Sequence, residues 1–488
     1  MLGTALTQLR YALSLASGGR VDVDGIERLV RDCVATVQEF GPTSQDDADV
    51  LGVATLSDEA RRTVDRSRLR NVAKLAFDTT PYYRDLFGHL GIQPDDYDIE
   101  RLETLPVTDK AALRSMPEAF VNWRADPTFQ ALTSGTTGYP TSMWFSRYEL
   151  DLGAALGAIA SVMRLGFTPE DVVQLNISSR ASLAMVNTVR GCQLIGCACF
   201  PVGLIEPDET LSRLATPVHL PGKKPQVSIM TTYPTYLGLL VERARALGYG
   251  PEDFGLEQIL CGGEVLTEAL RQQAEELFSA RITENYLMTE IFPVGGLMCR
   301  EGHLHITSEQ GLTEVLSLED HRPAQPGEIG TIVTTPFFPY RETTLVLRLV
   351  TGDVVRTIEG ESTCELAALP ATSPILGKAS HAVRTDQGWL MTRDFLEVLD
   401  GEPEVPLPSR FVVQAVREGL DIHVLASSVD RHVAGRIQAR LHESGVPVRR
   451  VHLHDGGSTM PPSIPLRVDL HEASYQPQDR KLVMGIAP

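Results

Sequence analysis

The residues best suited to chemistry sit close together in Leu132-Thr133-Ser134-Gly135-Thr136-Thr137-Gly138-Tyr139-Pro140, just ahead of the strand-like run Ser142 to Phe145. Gly135 and Gly138 let backbone N–H groups converge on an anion, and the hydroxyls of Thr133, Ser134, Thr136 and Thr137 add donors. Such a loop can wrap a triphosphate with no bulky side chain in the way. It is not a Walker loop, because no Gly-Lys-Ser/Thr follows, and the same composition also builds ordinary turns. Cys299, His303 and His305 offer metal-ligand types at short spacing. The sequence shows no fourth partner for them, so a metal site and a plain loop beside a strand both stay open. Cys192, Cys197 and Cys199 lie in the apolar run Gly191 to Val202, which reads as buried thiols on a strand rather than a zinc site.

The elements that must position these residues follow from periodicity. Val21 to Phe40 and Asp58 to Phe77 carry apolar residues at helical spacing, and Thr80-Pro81 stops the second run, so the chain begins helical. From about Asp171 short apolar runs alternate with amphipathic segments (Asp171 to Ile177, Gln193 to Pro201, Val227 to Thr231, Gln258 to Cys261, Arg281 to Tyr286), the rhythm of α/β layering. Between Gly311 and Thr357 the pattern turns to hairpins split by the turn-forming His321 to Gly327. After a composition break at Ala367 to Pro374, Phe411 to Val424, a helix-like Val429 to Ser444 and Val446 to Leu453 suggest a small α/β domain.

At 488 residues the chain should hold two or three packed units. Its 44 Lys and Arg against 63 Asp and Glu leave a formal charge of -19, which argues against nucleic acid and anionic membrane surfaces as partners. Seven scattered cysteines fit a reducing compartment. Met1 to Ala16 has only Arg10 as a basic group, and Leu152 to Met163 is too short for a span, so a cytoplasmic protein without a membrane role is expected.

The loop at Leu132 to Pro140 resembles the signature loop of the adenylate-forming superfamily, which includes acyl- and aryl-CoA synthetases, peptide-synthetase adenylation domains and luciferases. Further stretches match in the order that family requires. Gly262-Gly263-Glu264 resembles its adenine-side glycine motif. Asn285-Tyr286-Leu287-Met288-Thr289-Glu290 is similar to its "YGxTE" element, which implies Tyr286 stacked on adenine, Thr289 at the α-phosphate and Glu290 on Mg2+. Thr351-Gly352-Asp353 resembles "TGD", whose aspartate accepts from the ribose hydroxyls. Pro81-Tyr82-Tyr83-Arg84, Leu105-Pro106-Val107-Thr108-Asp109-Lys110, Thr232-Tyr233-Pro234-Thr235-Tyr236-Leu237 and the threonine Thr141 are similar to the phenylacetate-CoA ligase branch, from about Pro81 to Asp353.

The resemblance implies an α/β fold: a large adenylate-forming domain over 1–375, with a β-rich subdomain around 311–357, and a small α/β lid over 376–488. It also implies an acid ligase that uses ATP and Mg2+ to turn an aryl or arylacetic acid into an acyl-AMP, then passes the acyl group to CoA, an amine or a carrier-protein thiol. A CoA-independent amide synthetase and a degenerate nucleotide-binding protein are the alternatives, and a homodimer is left open. Three departures stand out. Arg348-Leu349-Val350 replaces the Arg-Tyr-Arg run, and Gly377-Lys378-Ala379-Ser380-His381 replaces a Gly-Arg hinge followed by acids, with Lys378 as the substitute cation. The family's lid lysine has no clear counterpart in Met460 to Val468, which leaves Lys481 as the nearest candidate.

Overall fold

The computed structural model describes residues 2–41, 58–133, 140–178, 180–360, 362–364, 366–367, 369–386, 388–416, 419–455 and 483–486. Ser134, Gly135, Thr136, Thr137 and Gly138 of the glycine-rich loop, the segment Met460 to Val468 and Lys481 lie outside the described residues.

The centre is an eight-stranded sheet. Strands Ala198–Phe200, Val172–Asn176, Ile229–Thr232, Gln258–Gly262 and Arg281–Leu287 run parallel, each paired with the next in that order, and Gly295–Met298, Leu304–Ile306 and Ala371–Thr372 continue it antiparallel. Val172–Asn176 is buried at every position, as a parallel strand covered on both faces must be. The hairpin region forms a second, antiparallel sheet of Gly311–Ser317, Ile329–Pro336, Leu349–Arg356 and Gly377–Lys378, with Thr313 opposite Thr334 and Asp353 opposite Lys378. Pro127–Leu132 and Ser142–Ser146 pair as a separate ribbon around the glycine-rich loop.

Helices Val23–Phe40, Asp58–Thr79 and Pro81–Leu90 account for much of the beginning. Thr80 caps the last of these, and its Pro81 occupies the first turn, where a missing N–H costs nothing. One reading is corrected. The run Gln193 to Pro201 is not a single strand: Gln193 to Ile195 are the last residues of the helix Ser182–Ile195, Gly196 at φ +98° caps it by donating to the Cys192 carbonyl, and only Ala198–Phe200 is extended. Apolar runs this short do not distinguish a helix's last turn from a strand. All seven cysteines are free, and no described helix is long and apolar enough to cross a membrane.

The small unit has its own sheet, in the order Val448–His454, Gly419–Leu425, Phe411–Val416, Val483–Ile486, covered by helix Arg431–Glu443. Its core, with Phe395, Ile422 and Ile437 fully or almost fully buried, is continuous with Val265 of the large unit. Thr267 Oγ1 donates to Asp400 at 2.6 Å and Arg393 Nη1 to the Leu266 carbonyl at 2.9 Å, so the chain just after Gly262-Gly263 forms part of the contact between the units.

A buried charge pair braces the large unit. Glu149, 0% exposed, accepts from the backbone N–H groups of Ser146 (2.6 Å), Glu342 (2.8 Å) and Thr343 (3.0 Å), and faces Arg341 at 3.7 Å. Arg341 stacks on Phe145 at 3.9 Å, and burial pushes its guanidinium down to about 10 against the opposing pull of Glu149. Removing one partner leaves the other as an uncompensated buried charge. Glu149→Gln is therefore expected to destabilise the large unit by about 3–5 kcal/mol, read as a lower denaturant midpoint; a loss below about 1 kcal/mol would mean that Arg341 has another route to neutrality.

Candidate functional site

The parallel strands end at one edge, and a cavity of about 510 Å³ opens there. Ligands gather at this edge in open α/β sheets because loops leave the strand ends without covering side chains. Among the described residues, every position expected to meet the nucleotide lines this cavity: Thr133, Gly262, Gly263, Glu264, Asn285, Tyr286, Thr289, Glu290, Asp353 and Lys378.

Thr133 sits at the foot of the ribbon, where its N–H donates to the Thr141 carbonyl at 3.0 Å and its Oγ1 accepts from Thr141 N–H at 2.9 Å. The pair closes the base of the glycine-rich loop. Gly262 ends its strand opposite Asn285. A Cβ there would lie 2.4 Å from the Asn285 carbonyl oxygen, and one at Gly263, where φ is +83°, would press on the Tyr233 ring at 3.1 Å. Only glycine gives this approach without moving backbone.

Glu264 accepts from Thr235 N–H at 2.8 Å and Thr235 Oγ1 at 2.5 Å. Tyr233 precedes the helix Pro234–Leu247 without a capping side-chain bond, so Glu264 performs the capping from another loop. That ties the Gly262-Gly263 turn to the helix start.

Tyr286 and Asp353 join two sheets. The phenol donates to Asp353 Oδ2 at 3.1 Å, and Lys378 Nζ lies 2.5 Å from Asp353 Oδ1. Burial first, and then the charge of Asp353, hold the Tyr286 phenol well above its ordinary range, so it stays a donor. Gly352 at φ +74° and the Thr351 hydroxyl, which accepts from Asp353 N–H at 3.1 Å, shape the strand around this carboxylate.

Glu290, 2% exposed, faces Lys110 Nζ at 2.6 Å. The ammonium approaches off the carboxylate's hydrogen-bonding direction, so the contact is an ion pair without hydrogen-bond alignment. Magnesium takes oxygen ligands and keeps several waters. The Glu290 carboxylate and the neighbouring Thr289 hydroxyl on this wall fit that donor set.

Lys110, Arg114 and Tyr233 also line the cavity and were not among the expected site residues. Lys110 stood in the sequence next to a capping aspartate, Asp109, with nothing to show that its partner lies far along the chain. Tertiary contacts bring it in: Thr108 Oγ1 donates to the Leu347 carbonyl at 2.6 Å, and Arg348 binds the Leu105 carbonyl. Arg348, left alone by the missing second cation, faces Glu314 through two 2.9 Å bonds and lies away from the cavity wall. Away from the nucleotide end the cavity runs between helices Arg147–Met163 and Ser182–Ile195, past Gly153, Gly157, Ala160 and Gly191.

No family model matches the chain. It is 28% identical over 333 residues to a phenylacetate-coenzyme A ligase of Thermus thermophilus, spanning 66% of this chain and 72% of that one. Against the phenylacetate-coenzyme A ligase of Escherichia coli the identity is 26% over 323 residues, 63% and 70% of the two chains. Among solved structures, a 2-hydroxyisobutyryl-CoA ligase in its postadenylation state with 2-HIB-AMP superposes with a TM-score of 0.71 at 21% identity, covering 84% of this chain and 88% of that one.

The close approach at Gly262 yields a prediction. Gly262→Ala should push Asn285 and its strand aside, at a cost of about 1–3 kcal/mol in thermal or denaturant unfolding; an unchanged midpoint would show that the two strand ends part freely.

Proposed function

We propose that this chain, which has the adenylate-forming fold and is similar in sequence to phenylacetate-coenzyme A ligases, activates a carboxylic acid with ATP and transfers the acyl group to a thiol. One observation carries the reading: the separate motif residues Gly262, Tyr286, Glu290 and Asp353 converge on a single cavity whose far end is an apolar slot between two helices.

In the first half-reaction a carboxylate oxygen attacks the α-phosphorus and the bond to the β-phosphate breaks, giving acyl-AMP and pyrophosphate. Like charges must approach, so the site needs cations and fixed donors more than a covalent nucleophile. Lys110, Arg114 and Lys378 place positive groups on the cavity wall of a chain whose net charge is -19. Tyr286 is the adenine platform, Asp353 receives the ribose hydroxyls, and Thr289 meets the α-phosphate. Glu290 is the carboxylate that would hold Mg2+, which would offset charge on the phosphates.

Entering ribose meets a carboxylate already paired with Lys378 and Tyr286. Both neighbours keep Asp353 in place, and its remaining lone pairs serve the sugar. The slot beside Gly157, Ala160 and Gly191, bounded by the Phe292 ring over Gly153, suits a flat apolar acid, so an aryl or arylacetic acid is the substrate class, with CoA as acceptor. Residues 376–488 act as the lid, contributing Thr392 and Leu396 to the cavity wall, and Lys481 is its cation for the adenylation step.

Acid-dependent ATP–pyrophosphate exchange tests the assignment, with phenylacetate and benzoate as first acids. Asp353→Asn is expected to raise the KM for ATP about tenfold or more, a loss of about 1.4 kcal/mol in nucleotide binding. Glu290→Gln should lower the exchange rate by about 10²–10³, as loss of one charge-stabilising group does. Lys481→Ala should slow exchange while sparing thioester formation from synthetic acyl-AMP. Exchange that is absent with every aryl and aliphatic acid tried, despite measurable ATP binding, would overturn the ligase reading.

A further inference from the structure

Away from the nucleotide residues, four side chains with soft-metal chemistry meet at one end of the central sheet. Cys299 and His303 flank the tight turn between strands Gly295–Met298 and Leu304–Ile306, where Gly302 adopts φ +82°. The turn is closed by Cys299 N–H donating to the His303 carbonyl at 2.9 Å, and His303 N–H donates in turn to Cys299 Sγ at 3.3 Å. The ligand atoms of Cys299, His303 and His305 all lie within 4.8 Å of one another.

The partner the sequence did not reveal is Cys364, whose Sγ lies 3.1 Å from His305 Nε2. We propose that Cys299, His303, His305 and Cys364 bind one zinc ion as a closed, structural Cys2His2 site.

Three features set this group apart from an ordinary polar cluster. Both sulfurs are arranged as thiolates are in metal knuckles: Cys299 accepts a backbone N–H, and Cys364 accepts Leu366 N–H at 3.3 Å and Ser362 Oγ at 3.1 Å. His305 is fully buried, and its Nδ1 lies 3.2 Å from the Leu369 carbonyl. That contact makes Nδ1 the protonated nitrogen and leaves the Nε2 lone pair facing Cys364. His303 Nδ1 is buried without a hydrogen-bond partner, and its nearest acid, Glu301, is 3.9 Å away.

The chemistry selects zinc. Two thiolates and two imidazoles are one of its structural ligand sets, and bond lengths of about 2.0–2.3 Å place tetrahedral ligand atoms roughly 3.3–3.8 Å apart, against 3.1 Å between Cys364 Sγ and His305 Nε2 and up to 4.8 Å among Cys299, His303 and His305. Four protein ligands leave no open position, so the ion would not take part in the reaction. It would pin the Gly295–Ile306 hairpin, which supplies Gly295, Gly296, Met298 and Leu304 to the cavity wall, to the segment leading through Ala371–Thr372 toward Gly377–Lys378. This assignment stands independently of the proposed ligase activity.

Elemental analysis of the full-length protein, expressed with added zinc and dialysed against metal-free buffer, should find about one zinc per chain. Cobalt-substituted protein should show the visible absorption of tetrahedral thiolate-bound Co2+. Cys364→Ser should lose the stoichiometric zinc, whereas Cys197→Ser, outside the cluster, should retain it. If Cys364→Ser does not fold, the cobalt spectrum of the unmutated protein decides. Folded wild-type protein without stoichiometric zinc, octahedral or thiolate-free cobalt absorption, or zinc retained equally by Cys364→Ser would each overturn the assignment.

Discussion

The carboxylate of Asp353 is the constraint on which the site turns. It lies on a strand of the antiparallel sheet, yet it accepts from Tyr286 of the central sheet and pairs with Lys378 where the chain leaves for the small unit. One buried anion thus registers three parts of the molecule against each other. An asparagine could still accept from Tyr286, but it would leave the Lys378 ammonium without its counterion.

Electrostatics and packing divide the cavity into two ends. The nucleotide end carries fixed cations and donors supplied by loops at the strand termini, where backbone N–H groups and side chains point outward. The other end lies between two facing helices that carry small residues at Gly157, Ala160 and Gly191, with the Phe292 ring packed over Gly153. Charge stabilisation needs preorganised groups, whereas the shape of an apolar wall is set by which of its side chains are small. The two requirements fall on different elements, so either can vary without disturbing the other.

Rigidity at the edges supports this division. Glu149 holds the start of one slot helix against the loop that bears Arg341, and the Cys/His cluster gathers the hairpin at the other end of the sheet. Both are largely buried polar groups, and each keeps unpartnered atoms: the two Arg341 Nη nitrogens and His303 Nδ1. Such groups are costly when half satisfied and specific when complete.

Much of this was legible in the chain itself. Periodicity gave the helical beginning, the parallel strands and the hairpins, because a covered strand and an amphipathic helix impose different spacings on apolar residues. Resemblance to the motifs of the adenylate-forming superfamily singled out Gly262, Tyr286, Thr289, Glu290 and Asp353, and all five line the one cavity. Pairings between distant residues were not legible: Lys110 with Glu290, Tyr286 with Asp353, Arg348 with Glu314, and Cys364 with His305. Nothing local marks a lysine or a cysteine for a partner far along the chain. Only the folded sheets bring such side chains within bonding distance, because the contact is decided by strand order and loop path rather than by neighbouring residues.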